Sequence, residues 1–117
     1  MEIVYKNKSL ERICNDFKKA KKEYGEVVAE KLLSTINRIC AAENLVDIRD
    51  YLPMRFHPLK GDRVGTYALD LGKKLGYRLI LRPIDSEGKS FTNEEIYNAK
   101  ALEINIIKIE EVSKHYD

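Results

Sequence analysis

The spacing of apolar residues changes period along the chain, and the changes mark out the elements. "EIVY" at 2–5 is short and β-branched, which predicts a first strand. Leu10, Ile13, Cys14, Phe17, Ala20 and Tyr24 then recur at helical spacing, with Ser9 in front as a candidate N-cap and Gly25 behind as a stop. Val28, Leu32, Ile36, Ile39 and Cys40 keep that period and predict a second helix from Glu26 to Ala42. Only a glycine separates the two, so an antiparallel helical hairpin is expected. Asn44 is placed to cap a short helical turn in "LVDIRDYL", which Pro53 should end.

After Pro53 the period becomes that of a strand. In "GTYALDL" (65–71), Tyr67, Leu69 and Leu71 share one face and Thr66, Ala68 and Asp70 the other. "GKKLG" (72–76) reads as a turn. In "YRLILR" (77–82), Tyr77, Leu79 and Leu81 alternate with Arg78, Ile80 and Arg82, and Pro83 should end the strand. If the turn pairs Leu71 with Tyr77, Asp70 stands opposite Arg78, which reads as a cross-strand ion pair of modest worth, as an arginine held in place to grip a phosphate, or as both. Residues 84–100 are polar and irregular, with a helical turn near "NEEIYN". "ALEINIIKIEEV" (101–112) reads as a last strand, apolar on both sides and so central in the sheet. The order β, α, α, β, β, β predicts an α+β fold. A helical hairpin should cover one face of a twisted, mainly antiparallel sheet, as a single domain over 1–117.

Composition narrows the function classes. Charged residues make up 34% and no apolar run reaches the roughly 18 to 20 residues of a membrane span. "MEIVYKNKSL" lacks the apolar stretch of a secretory signal, and Cys14 and Cys40 lack metal-ligand or redox spacing, so two buried, reduced thiols in a cytoplasmic protein are expected. No metal or cofactor is implied: HExxH, GxSxG and P-loop patterns are absent.

The net charge of +2 is unevenly placed: 10 basic and 9 acidic residues in 1–54, 7 and 2 in 55–82, 4 and 8 in 83–117. The basic middle block contains "HPLKGDR" (57–63) and the arginines of the last hairpin. Such an excess reads either as a solvated surface or as the footprint of a polyanion. Arg78 and Arg82 fall on the sheet face that the helices leave open. The loop before the hairpin offers His57, Lys60 and Arg63, and the tail offers His115 and Tyr116. Metal-free RNA cleavage needs these residue types. Histidine exchanges protons near neutral pH, lysine and arginine stabilise phosphate charge, and tyrosine stacks on a base or shares a proton. The alternative for each is a solvated or capping side chain. Lys18 and Lys22, in the lysine-rich first helix, read as a solvated face or as a surface that docks RNA.

"MRFHPLKGDRVGTYALDLGKKLGYRLILRP" followed by "ALEINIIKIEEVSKHYD" resembles the HigB branch (proteic or plasmid-maintenance killer) of the RelE/ParE toxin superfamily, over nearly the whole chain. The resemblance implies a RelE-like fold and the toxin of a type II toxin–antitoxin system that cleaves mRNA on the ribosome. His57 and Lys60 match the family's active-site loop, Arg63 continues it, and Arg78 matches the arginine expected at the scissile phosphate. The sequence departs from the family in three places. Leu69-Asp70 stand where some relatives carry a further arginine, His115-Tyr116 reverse the usual terminal order, and Arg82 replaces an acidic residue. The implied partners are a HigA-type helix-turn-helix antitoxin, the ribosome and mRNA, with operator DNA bound only through the toxin–antitoxin complex and no membrane. The alternative on the same fold is a toxin without nuclease activity that inhibits a protein such as DNA gyrase.

Overall fold

The computed structural model describes residues 1–114, so His115 and Tyr116 lie outside the described residues. Five strands form one sheet: β1 (Glu2–Tyr5), β2 (His57–Pro58), β3 (Tyr67–Leu71), β4 (Tyr77–Ile84) and β5 (Ile106–Lys114). Their order is β1-β5-β4-β3-β2, with β1 parallel to β5 and the other neighbours antiparallel. A parallel pair cannot be closed by a tight turn. The chain therefore leaves β1, builds the helices and the β2–β4 meander, and returns as β5 beside β1. The helices are α1 (Lys8–Asn15), α2 (Phe17–Tyr24), α3 (Glu26–Ala41), α4 (Val46–Arg49) and α5 (Asn93–Ile96).

The α+β architecture is the one the hydrophobic pattern predicts. Val28, Leu32, Ile36 and Ile39 of α3 form one buried cluster with Leu69, Leu71, Leu79, Leu81, Ile107 and Ile109 of the sheet. Each such aliphatic side chain contributes roughly 1.5–3 kcal/mol on burial. β5 is interior, between β1 and β4, as its apolar run suggested.

Local chemistry overrides the periodicity in several places. The first helix is capped by Asn7, whose Oδ1 accepts from the Leu10 amide at 2.8 Å, so Ser9 lies inside the first turn. The helix is also broken at Asp16, an extended residue that ends α1 and caps α2 by accepting from Lys19 N at 3.3 Å. Asn and Asp side chains compete for backbone groups in this way. Cys14 is buried as expected, but Cys40 is exposed. It lies about 100° around the helix from Ile39, which holds the centre of the buried stripe.

Neither proline stops its element. Asn44 Oδ1 does accept from Val46 N, at 3.0 Å, but α4 ends at Arg49 and Pro53 sits within the 3-10 turn Leu52–Met54. Pro83 lies inside β4, paired with Ile107. The last β3 partner is Tyr67 against Leu81, so β4 has lost its β3 neighbour there and tolerates a missing N–H. The last strand starts at Ile106 rather than 101. Asn98 Oδ1 accepts from Lys100 N at 2.7 Å and winds Ala99–Glu103 into a 3-10 turn.

Candidate functional site

The expected register holds: Leu71 pairs with Tyr77 and Asp70 with Arg78. Residues directly opposite one another share a face, so the register maps the face turned away from α3. One row across the sheet runs His57–Ala68–Ile80–Glu111, the next Asp70–Arg78–Ser113, and Arg82 stands opposite Lys108. Ala68 and Ile80 are fully buried yet lie outside the main apolar cluster. This second face is therefore partly covered.

His57 sits on the edge strand and is aimed by its neighbours. Phe56 stacks on Tyr67, with ring centroids 4.8 Å apart, which anchors the strand on the core side and turns His57 to the other face. The His57 Nδ1–H donates to the Arg55 carbonyl at 2.6 Å. A carbonyl only accepts, so Nδ1 carries the proton and Nε2 of the neutral ring is left to accept one. The carbonyl is presented by Arg55 in a left-handed conformation, φ +51°.

The predicted Asp70–Arg78 ion pair does not form. Asp70 is taken by Arg55, whose Nη1 donates to Oδ2 at 3.0 Å. β2 pairs only with residues 67 and 68 of β3, which leaves Asp70 open on that edge. Arg78 keeps its place on the face, and its Nε is buried with no acceptor among the described residues. A buried donor left unpaired costs about 1–3 kcal/mol. An anionic oxygen arriving there would remove that penalty. From strand spacing and register, the Cα atoms of Arg78 and His57 lie roughly 12 Å apart, within reach of two side chains converging over the face.

Two further arginines are held by a β-bulge. Ile80 pairs with Glu111 and Leu81 with Ile109, so Glu110 is the extra residue. A bulge lets consecutive side chains serve one side of a sheet. Glu110 binds Arg82 Nε at 2.9 Å, and Arg82 Nη1 also donates to Ser90 Oγ at 2.8 Å. Glu111 accepts from Arg63 Nη2 at 2.9 Å. Arg63 follows β2 and Glu111 lies on β5, so this contact runs over Ala68 and Ile80, the two buried residues of that row. Periodicity did not reveal these partners, although it carried a trace of them. In "IKIEEV" the alternation of β5 is broken by two adjacent acids, the signature of a bulge.

The remaining candidates are dispersed. Lys60 is exposed on the 59–66 loop. Lys18 and Lys22 are exposed on α2, in the helical layer, on the other side of the sheet from His57. Among the described residues no cluster of three or more His, Cys, Asp or Glu could hold a metal ion, and no helix is long and apolar enough to cross a membrane.

No protein-family model matches the chain, and no curated protein matches it. Among solved structures it is similar to a YoeB/ParE toxin from Agrobacterium tumefaciens. The TM-score is 0.56 with 16% sequence identity, over 99% of this chain and 100% of that one. The chain thus has the fold of a RelE/YoeB-type toxin.

Proposed function

We propose that the chain is the toxin of a type II toxin–antitoxin pair and cleaves mRNA on the ribosome without a metal. The observation that carries this reading is the pairing, on one sheet face, of His57 with its Nδ1 proton engaged and Arg78 with a buried donor that has no acceptor among the described residues. In the reaction the substrate 2′-oxygen attacks the phosphorus, the bond to the 5′-oxygen breaks, and a 2′,3′-cyclic phosphate is left. His57 Nε2 is suited to exchange a proton with one of those oxygens, while Arg78 and Lys60 stabilise the charge gathering on the phosphate. His115 and Tyr116 are the proposed source of the second proton transfer. The partners are an antitoxin of the HigA type, which carries the operator-binding domain, and the ribosome with its mRNA, all in the cytoplasm.

The second reading on this fold is a toxin directed at a protein such as DNA gyrase, and the ParE half of the neighbour's name is what favours it. A map of mRNA ends after induction separates the two. Discrete ribosome-dependent cuts are expected with the wild type. They should fall by on the order of 100-fold or more in His57→Ala or Arg78→Ala, with the circular dichroism spectrum unchanged. Intact mRNA alongside DNA damage would support the gyrase reading instead.

A further inference from the structure

The depression at the Arg63 end of this face is lined by Lys6, Arg63 and Arg82 and by Asp62, Glu110 and Glu111, three cations against three acids. It therefore offers no net attraction to a phosphate as it stands. The two arginine pairs are nonetheless unlike. Arg82–Glu110 is sheltered, with side chains 28% and 13% exposed, and Ser90 adds a second anchor. Arg63–Glu111 is open, at 43% and 47%. Among the described residues it is also the one side-chain hydrogen bond or ion pair that ties residues 59–65 to another element. The rest of that loop is bonded to itself, through Leu59 N to Thr66 O at 3.0 Å and Thr66 Oγ1 to Arg63 O at 2.6 Å.

We propose that Glu111 occupies Arg63 in the place of an RNA phosphate, and that the substrate backbone displaces it. This rests on the RNA-cleaving reading above. The Arg63–Glu111 pair is exposed, and so weak, and is made through one nitrogen, Nη2 to Oε1, whereas the planar guanidinium fork can meet a phosphate with two parallel bonds. The exchange therefore runs toward RNA when a phosphate arrives and back to Glu111 when it leaves. Arg82, held at two points, stays with Glu110. Displacing Glu111 also frees the tether of the loop that carries Lys60, so the loop engages RNA only when a backbone is present. Glu111 is a positioning residue here: it acts through Arg63 and touches no reacting atom.

The test is a double-mutant cycle on RNA affinity. A ten-nucleotide single-stranded RNA, 2′-O-methylated throughout to block cleavage, is titrated with wild type, Glu111→Gln, Arg63→Ala and the double variant, followed by fluorescence anisotropy at two salt concentrations. Glu111→Gln is expected to tighten binding about three- to tenfold in the presence of Arg63 and by less than twofold in the Arg63→Ala background. Equal gains in both backgrounds would mean only that a negative charge was removed, and would overturn the exchange, as would no gain at all. Arg63→Lys keeps a charge without the planar fork and should lose most of the gain. The mRNA-end map is run on the same variants. Cleavage with equal gains sinks the exchange alone, and the expected cycle without any cleavage sinks the nuclease reading alone.

Discussion

Gly65 is the most constrained position in the loop, and alanine there should be costly in a divisible way. Its φ is +95°, and a Cβ would stand 2.6 Å from Arg82 Nη1 and 3.6 Å from Ser90 Oγ. The backbone part of the cost is about 1–2 kcal/mol for an L-residue held at positive φ. The contact part depends on whether the guanidinium can move. Its Nε is fixed by Glu110 at 2.9 Å, so Nη1 must give up its 2.8 Å bond to Ser90, a loss of about 1 kcal/mol. Gly65→Ala should therefore destabilise the protein by roughly 2–3 kcal/mol, or about 10 °C in melting temperature for a chain of this size. Urea unfolding followed by circular dichroism measures it. In a Ser90→Ala background that hydrogen bond is already gone and Nη1 can move aside without losing it, so the cost should fall to about the backbone part, a coupling of about 1 kcal/mol. A Gly65→Ala variant within 0.5 kcal/mol of wild type would refute the whole reasoning. An equal cost in both backgrounds would refute the contact part.

Two further outcomes follow from burial. Burial pushes the Cys14 thiol up to about 12, while Cys40 is exposed; a thiol-specific chromogenic reagent at pH 8 should titrate one cysteine in the native protein and two in denaturant, and two fast thiols in the native state would contradict the packing of α1. Tyr67 is also raised to about 12, mainly by burial, and its hydroxyl donates to Asn93 Oδ1 at 3.1 Å. The folded state thus favours the neutral phenol, and the unfolded chain releases its proton first. Stability from this group is whole below pH 10 and declines as pH rises from 10 through 12, by on the order of 2 kcal/mol. Chemical unfolding at pH 9 and pH 11.5 should show that decline in the wild type and a smaller one in Tyr67→Phe; equal slopes would remove Tyr67 as the cause.

Elements whose pattern is set by burial on one face were legible: the α2–α3 hairpin, the β3–β4 register and the interior place of β5 all follow from apolar spacing. What escaped is decided by single side chains competing for backbone groups. Asn7 rather than Ser9 caps α1, Asp16 splits the first helix, and Asn98 starts a 3-10 turn where a strand was expected. The ion pairs escaped for a related reason. Register alone placed Asp70 opposite Arg78, but Arg55, which lies before β2 and takes a left-handed backbone conformation that no periodicity encodes, reaches Asp70 instead.

Charge shows most clearly how a sequence signal changes meaning in three dimensions. The basic block 55–82 and the acidic block 83–117 look like two surfaces, one of them ready for a polyanion. In the fold they meet. The bulge in β5 brings Glu110 and Glu111 onto the face that carries the arginines, and Asp70 takes Arg55, so Arg55, Arg63 and Arg82 are neutralised within the protein. Much of the asymmetry along the chain is thus internal complementarity between strands. Among the lysine and arginine candidates of the 59–66 loop and this face, Lys60 and Arg78 make no ion pair with any described residue, and the Arg78 Nε has no acceptor among them. A polyanion that binds here has two routes to more cations than these: recruit them from elsewhere on the surface, or displace a carboxylate. The exposed Arg63–Glu111 pair yields before the sheltered Arg82–Glu110 pair, because a half-exposed ion pair has little Coulomb energy to lose.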